Sequence, residues 1–360
     1  MARRIEVAPK HKMANVISLN LFMSVLLRFY VNVSIVNYIF VTKVIIFFEI
    51  YIHFQKGYLC KKIRFMKFGK VDDPGIINLS LPCDHPSTKV LLQKNKLKNP
   101  LKVYVGCAKW NKTDLKGFYP RGTKDELAYY STQFNSIELN ATFYRIFPVD
   151  TFSGWYEKTP DNFRFFPKFF QGISHWKRLA DCEEVLNEFI LHVSNLNEKL
   201  EMPFVQLPNN FGPKNIERLE LFFRMLPKDI KPAIELRHTN WFNDTIVENE
   251  LYDILEKNEI SNVIVDTAGR RDLLHMRMTT PTAFIRYNGA NHPSDYDRLD
   301  EWVDRLEEWV SQGLANIYFF VHQNIEKASP LLSAHFIKNI NNRLGTNLVI
   351  PKMDNPKNKF

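Results

Sequence analysis

Eight short apolar segments recur along the chain, and a segment long enough for a crossover separates each from the next. Most of them are rich in β-branched or aromatic residues, which is typical of strands. Strands that alternate with helical segments predict parallel pairing, and eight such units in about 250 residues match the size of a (β/α)₈ barrel. The predicted strands are 101–107, 136–140, 163–168, 203–208, 232–237, 262–267, 282–289 and 316–324. The expected fold is α/β, a single-domain TIM-type barrel with an extra N-terminal segment.

In most of the segments between the strands, apolar residues recur at helical spacing, which predicts helices. The segment 123–134 begins with a candidate capping box, in which Thr123 is the cap and Glu126 its partner. The sixth strand is followed mainly by a loop. The alternative fold, an open doubly wound sheet, normally carries a glycine-rich phosphate loop after its first strand, and "VGCAKW" is not such a loop. The barrel is therefore preferred.

Two of the predicted strands carry charged residues on the face that should point into the barrel. Side chains alternate along a strand, and in a barrel one face points to the lumen and the other to the helices. In "SIELN" the apolar residues suit the helix side, so Glu138 and Asn140 point inward. In "PAIELR" the same alternation puts Glu235 and Arg237 inward. Polar groups in a lumen indicate the floor of a site.

Seven of the strands end in polar or ionisable residues, and barrel enzymes have their active sites at that end. Buried ion pairs and loop anchors are the alternative interpretation, but buried charges are costly unless paired, and these gather at one end. The predicted catalytic residues are Glu138, Glu235, Asp266 and His175. The predicted substrate-binding residues are Asn140, Lys168, Gln206, Arg237, Arg286, Asn288, Trp110, Tyr144, Trp241 and Asn324.

The residue types at this mouth allow several chemistries. Paired carboxylates such as Glu138 and Glu235 could divide general-acid and general-base roles, while Arg and Lys hold a small polar or anionic substrate. Hydrolase, lyase and isomerase reactions fit equally well. Lys168 could act as a Schiff-base nucleophile if its pKa were depressed, but a salt bridge to Glu138 or Glu235 is preferred. The alternatives are a metal-dependent, endonuclease-like barrel that processes nucleic acid, and a non-catalytic ligand-binding barrel.

No cofactor is predicted. A divalent metal could bind Glu138, Glu235, Asp266 and His322, although the neighbouring cations oppose metal charge. The four cysteines form no CxxC pair, so free thiols are expected, and the strand phase of Cys107 predicts a packed thiol rather than a nucleophile.

The charge of the chain is concentrated in its first 65 residues. They hold ten Lys or Arg and two Glu, and so account for +8 of the formal charge of +9. The nearly neutral remainder makes nucleic acid an unexpected partner. Residues 29–48 are mostly apolar and long enough to span a bilayer, but Lys43 lies within them. We prefer a misassigned translation start, with Met66 as the true one, over a membrane anchor.

The expected domains are 1–65, an N-terminal extension at 66–100 that covers the barrel floor, the barrel at 101–345, and a tail at 346–360. The expected location is the cytoplasm, with a membrane-anchored form through residues 29–48 as the alternative. The oligomeric state is left open.

The ordered motifs "VGCAKW", "LAYYSTQFNSIELNATFYR", "TPDNFRFFPK", "ISHWKRL", "IELRH", "VDTAG", "FIRYNG" and "VHQN" resemble the YecE-like family, known as domain of unknown function 72. The resemblance runs from about residue 101 to 343 and implies a TIM-type barrel without an established activity. The family pattern falls on Gly106, Trp110, Tyr119, Glu138, Asn140, Phe143, Tyr144, Lys168, His175, Gln206, Glu235, Arg237, Trp241, Asp266, Arg286 and Asn324. The chain departs from the pattern after Gly106, where Cys-Ala-Lys replaces Thr-Ser-Gly, and at His322, where the family commonly has paired Asn.

Overall fold

The computed structural model of the chain describes residues 69–95 and 100–354. Eight parallel strands follow one another in the order β3-β2-β1-β8-β7-β6-β5-β4. Two isolated parallel bridges, Phe165 with Leu200 and Lys168 with Phe204, connect the two ends of this order. The sheet is therefore a nearly closed barrel, and the predicted TIM-type fold is confirmed.

Every strand lies at its predicted place, and no end differs from the prediction by more than two residues. The strands are β1 Lys102–Cys107, β2 Ser136–Leu139, β3 Arg164–Pro167, β4 Phe204–Gln206, β5 Ala233–Glu235, β6 Ser261–Thr267, β7 Thr282–Gly289 and β8 Asn316–Gln323.

Helices lie between the strands, with short 3₁₀ turns beside several of them. The α-helices are α1 Pro86–Lys94, α2 Glu126–Gln133, α3 Ala141–Tyr144, α4 Val149–Lys158, α5 Glu183–Val193, α6 Ile216–Met225, α7 Thr245–Lys257, α8 Ser294–Gln312 and α9 Ser329–Leu344, and a π-helical turn covers Gly172–Trp176. As predicted, β6 is followed by a 3₁₀ turn and an extended return rather than by an α-helix.

The predicted capping box at the start of α2 is wrong. The cap is Asp125, whose Oδ1 accepts a hydrogen bond of 3.0 Å from the N–H of Ala128. The hydroxyl of Thr123 instead donates to the carbonyl of Pro120 at 2.8 Å, so the chain is still in a turn at that residue. Asp125 is the residue whose side chain reaches the open N–H groups of the first helical turn.

Apolar side chains fill the barrel on both faces of the sheet. The outward face packs under the helices, where Ile137, Leu139 and Ile234 are fully or almost fully buried, as the strand alternation predicts. The inward face forms a separate apolar cluster that plugs the lumen. This plug consists of Phe166, Phe204, Ala233, Val263, Val265, Phe284, Tyr318 and Phe320, with Tyr104 packed against it.

The segment before the barrel crosses from the mouth to the opposite end. Leu79 packs against Ala268 and so lies beside the C-terminal end of β6. Arg271 donates to the Leu79 carbonyl at 3.1 Å and holds the segment there. At the end of α1, Asn95 donates to the carbonyl of Gly313 at 2.7 Å, just before β8 begins. The first part of this segment therefore lies at the mouth rather than at the floor.

The described residues belong to one compact unit, Met66–Phe360. Residues 1–65 and the candidate span at 29–48 lie outside the described part of the chain. Within residues 69–95 and 100–354, no helix has the length and apolar character needed to cross a membrane. Cys83, Cys107 and Cys182 are free thiols, and Cys107 is packed as predicted, with its pKa raised by burial.

Candidate active site at the barrel mouth

A polar layer lies directly above the apolar plug. Inward-facing positions recur every second residue, so the position two residues beyond each plug residue also faces the lumen. Phe166 is followed in this way by Lys168, and Phe284 by Arg286. The polar layer consists of Glu138, Lys168, Gln206, Glu235, Arg286 and His322, all buried except the half-buried His322.

Arg286 joins the two glutamates of this layer. Its Nε and Nη2 donate to Oε2 and Oε1 of Glu138 at 2.9 and 2.7 Å. Its Nη1 donates to Oε2 of Glu235, whose Oε1 accepts from Arg237. Each of the three guanidinium nitrogens of Arg286 therefore donates to a carboxylate. Two carboxylates and two guanidinium groups balance in charge, which is how buried charges are tolerated.

These ion pairs keep both glutamates ionised. Burial acts to raise the pKa of Glu138, but Arg286 and then His322 outweigh it and hold that pKa well below its usual value. Burial opposes Arg237 and Arg286 at Glu235 in the same way, and its pKa is lowered to about 2. A general acid must carry a proton near the working pH. The lowered pKa values argue against a general-acid role for either glutamate, and in this structure both are ion-pair partners.

His322 is the group that this arrangement orients. Its Nε2 lies 3.0 Å from Oε2 of Glu138 and 3.5 Å from Nη2 of Arg286. A carboxylate can only accept, so the shorter contact requires a proton on Nε2. In the neutral ring Nδ1 is then an acceptor, and within the described chain it has no hydrogen-bond partner. The sequence analysis considered His322 only as a possible metal ligand and not as a catalytic or substrate-binding residue, although it lies two residues beyond the plug residue Phe320.

Lys168 is buried without an ion pair. Its Nζ donates to Oε1 of Gln206 at 2.8 Å and lies 4.1 Å from the centre of the Phe143 ring. No carboxylate of the described residues lies within salt-bridge distance of this amine, so the preferred salt bridge to Glu138 or Glu235 does not form. Burial first, and then the charge of Arg286, lower the pKa of Lys168 to about 7, against an opposing effect of Glu235.

A cavity of about 540 Å³ opens above the polar layer. It is lined by Ala108, Lys109, Trp110, Asn111, Asp114, Glu138, Leu139, Asn140, Ala141, Phe143, Tyr144, Lys168, Arg286, His322 and Glu326. Trp110 is half-buried, with its ring edge against Trp155, and Tyr144 is 69% exposed at the rim. The volume lies in the range of sites for small molecules.

Other predicted residues lie in or beside the polar layer. Asn140 lines the cavity and donates to Oε1 of Glu138 at 2.7 Å. Gln206 lies below the cavity and donates to Oε1 of Glu235 at 2.9 Å. Asn288 shares the inward phase of β7 and pairs in register with His322. Asn324 is half-buried just beyond β8 and is not among the residues that line this cavity.

The structure places Asp266 outside the site, which corrects its predicted catalytic role. Its carboxylate accepts from Nε1 of Trp302 at 2.8 Å and pairs with Arg298 at 2.8 Å. Both partners belong to α8, on the helix side of the sheet. Its neighbour Val265 is part of the lumen plug, so Asp266 has the opposite phase.

Trp241 does not reach the cavity either, which corrects its predicted contact with substrate. The side chain is completely buried, and its Nε1 donates to the carbonyl of Phe211 at 2.7 Å. The two rings also stack, with centroids 6.2 Å apart. Trp241 therefore ties the loop after β5 to the loop after β4.

His175 lies behind the cavity wall and is not among the lining residues. Its ring packs against Phe143, with centroids 4.9 Å apart. Burial first, and then the charge of Lys168, lower the pKa of His175 to about 4. The ring is therefore neutral near pH 7, and its contact supports the Phe143 ring that lies under Lys168. This position does not match its predicted catalytic role.

The described residues contain no group of three or more His, Cys, Asp and Glu side chains placed to hold a metal ion. Among the four ligands considered from the sequence, Asp266 points to the helices. Arg286 stands between Glu138 and Glu235 and engages both.

The family model described as "Protein of unknown function DUF72" matches residues 104–356, which is more than half of the chain. A DUF72 family protein from Enterococcus faecalis V583 has a similar structure, with a TM-score of 0.55 and 22% identity, covering 70% of this chain and 99% of that one. A DUF72 family protein from Thermotoga maritima MSB8 gives a TM-score of 0.53 and 29% identity, covering 66% and 98%.

Curated proteins that are similar in sequence include YecE and YunF. UPF0759 protein YecE of Escherichia coli K12 is 30% identical over 168 residues, which are 46% of this chain and 59% of that protein. UPF0759 protein YunF of Bacillus subtilis 168 is 30% identical over 159 residues, which are 41% of this chain and 55% of that protein. The matches thus span less than two thirds of either relative. Together with the family model they confirm the resemblance seen in the sequence motifs.

Proposed function

The chain belongs to the DUF72 family, whose description states no function, and we propose that its barrel is an enzyme that transfers protons on a small polar substrate. His322 takes up the proton and returns it. Glu138 positions the ring, and the mouth cavity holds the substrate. This is acid/base chemistry of the lyase or isomerase type.

The contact between Glu138 and His322 is the observation that carries this proposal. A carboxylate that accepts from one ring nitrogen fixes the tautomer and leaves the other nitrogen as the acceptor. Arg286 holds Glu138 by two hydrogen bonds, so the carboxylate cannot turn away from the ring. Histidine is also the side chain whose ordinary pKa is best suited to proton transfer near neutral pH.

The lining residues include three acidic and three basic side chains, and this balance favours a neutral substrate over an anionic one. Lys109 is paired with Asp114 at 3.1 Å, and Arg286 is engaged by two glutamates. Glu326 adds a further carboxylate to the wall. The aromatic rings of Trp110 and Tyr144 offer stacking surface, and carboxylates and amides beside them can bind hydroxyl groups. A neutral, hydroxylated molecule fits this combination.

The proposal can be tested by following the exchange of carbon-bound hydrogen for deuterium. This test does not require that the overall reaction be known, only that it begin with removal of a proton from carbon. A panel of neutral hydroxylated aldehydes and ketones would be incubated with the full chain in D₂O and followed by proton NMR. A general base that removes the proton next to a carbonyl returns deuterium from the solvent. We expect protein-dependent loss of that signal for members of the panel, and at least a tenfold slower loss with His322→Gln, because removing a general base typically costs about 10²–10⁴-fold.

His335→Gln is the matched control. His335 also pairs with a carboxylate, Asp300, with Nε2 and Oδ1 2.6 Å apart, but on the outer helices. Exchange should be the same in this variant as in the unchanged protein. Exchange that survives His322→Gln in full, or that no member of the panel shows, would contradict the proposal.

A further inference from the structure

Lys168 has features that proton transfer by His322 does not use. The side chain is 8% exposed, yet it lines the wall of the mouth cavity. Its only described hydrogen bond goes to the neutral amide of Gln206. A buried ammonium group without a carboxylate is costly, so this position favours the neutral amine. A neutral amine that faces a cavity is a nucleophile.

The residues around the amine hold it in place without adding negative charge next to it. Gln206 accepts from Nζ at 2.8 Å and donates its own amide to Glu235 at 2.9 Å, so its orientation is fixed from both sides. Nζ lies 4.1 Å from the centre of the Phe143 ring, and the His175 ring packs against Phe143. The open direction for Nζ is therefore the cavity, which His322 also lines.

We propose that Lys168 forms an imine with the carbonyl group of a neutral, hydroxylated aldehyde or ketone bound in the mouth cavity. The inference rests on the proposed function, because it names the substrate class of the same cavity and adds a covalent intermediate. An imine makes the neighbouring C–H more acidic, which is the proton that His322 would remove.

The step balances without an oxidant or a reductant. The lone pair of Nζ adds to the carbonyl carbon, and the electrons of the C=O double bond move to oxygen, which takes up a proton. The nitrogen loses one proton. The carbinolamine then expels its oxygen as water, with a second proton supplied from the site, while the nitrogen lone pair forms the C=N bond. Hydrolysis reverses these steps and frees Lys168.

Trapping with a reductant tests the imine. The full chain would be incubated at pH 7 with glyceraldehyde and sodium cyanoborohydride, digested, and examined by peptide mass spectrometry. Exposed lysines are the comparison within the same sample, and Lys124 is one. We expect at least about tenfold more adduct on Lys168 than on Lys124, because an ordinary lysine is almost wholly ammonium at this pH. Equal or lower labelling of Lys168 would overturn the inference.

Two variants separate this inference from the proposed function. Lys168→Met should lose the adduct at this position while its melting transition stays cooperative, which shows that the fold is intact. His322→Gln should keep the adduct on Lys168 and lose exchange in D₂O. Absence of the adduct together with His322-dependent exchange would overturn the imine alone. An adduct together with exchange that does not depend on His322 would overturn the proposed function alone.

Discussion

At the scale of single residues, Arg286 decides the character of the mouth. It is buried, and its charge is balanced by Glu138 and Glu235 together. Because these three groups are tied to one another, the two carboxylates stay ionised, and the proposed chemical roles fall to His322 as proton carrier and to Lys168 as nucleophile. Replacing one member of the group should therefore affect stability as well as function.

Glu138→Gln should destabilise the protein by about 3 kcal/mol, because it leaves a buried guanidinium with one carboxylate partner fewer. The free energy of unfolding from urea denaturation measures this effect. Glu220→Gln is the control, since Glu220 pairs with Arg224 at 3.5 Å on an exposed helix face, and exposed pairs contribute about 0–1 kcal/mol. Equal losses in the two variants would show that the buried network is not energetically special.

Lys168 should make stability depend on pH. Its folded-state pKa of about 7 lies below the ordinary value of 10.5, so between these values the unfolded chain binds more protons than the folded one. The penalty is complete below pH 7 and disappears as the pH rises towards 10.5. From pH 7 to pH 9 this group alone should add about 2 kcal/mol of stability.

The comparison with Lys168→Met isolates that contribution. The free energy of unfolding of the unchanged protein, minus that of the variant, should rise by about 2 kcal/mol between pH 7 and pH 9. Lys124→Met is the control, since it removes an exposed lysine in place of a buried one. A constant difference for Lys168→Met would mean that the amine titrates alike in the folded and unfolded chain.

At the scale of elements, the sequence predicts where the strands lie better than which way their side chains point. In "SIELN" polar and apolar residues alternate, so the inward position of Glu138 can be read directly. In "NVIVDT" Val263, Ile264 and Val265 are all apolar, so the phase of Asp266 cannot be read. The residues before His322 are also apolar or aromatic on both faces of the strand, so the direction of the His322 side chain cannot be predicted from the sequence either. Only the structure shows which side chains of these strands join the lumen plug and which pack under the helices.

The sequence also could not predict which side chains on different elements pair with one another. Burial predicts that Glu235 needs a cation, but not that Arg286 would reach it across the lumen. Trp241 illustrates the same limit, since a Trp after a strand end can stack on a ligand or anchor a loop. Its hydrogen bond to Phe211, on another loop, decided between the two.

Asp266→Asn tests the outward phase of β6. It removes the charge that Arg298 and Arg271 share, and breaking a buried pair costs about 3–5 kcal/mol. At temperatures below its melting transition, the variant should still form the Lys168 adduct and still exchange protons in D₂O. Loss of exchange in a folded Asp266→Asn protein would return this residue to the site.

At the scale of the whole molecule, the described strands form no continuous ladder between β3 and β4, and this junction is a seam in the barrel. β7 and β8 pair in register from Thr282 with Asn316 to Gly289 with Gln323. Between β3 and β4 the structure has only isolated bridges, with hydrogen bonds from Phe169 to Phe204 and from Glu201 to Phe165. Lys168 lies at this seam, so a local opening of the barrel would expose it.

Native-state hydrogen exchange should show the seam. The amides of Phe169 and Glu201 should exchange through smaller opening free energies than the amides of β8, because fewer neighbouring hydrogen bonds must break with them. Mass spectrometry or NMR can follow both groups in one sample. Equal protection of the seam and of β8 would mean that the barrel opens only as a whole.

The proposed function requires that Glu138 fix His322 with an acceptor nitrogen towards the cavity. Nitrogen-15 NMR of histidine-labelled protein at pH 8 tests it directly, with His322→Gln to assign the signals. We predict that His322 carries its proton on Nε2 in the unchanged protein, and that Glu138→Gln weakens this preference. A proton on Nδ1 in the unchanged protein would contradict the proposed function, because that nitrogen could then not accept a proton from a substrate.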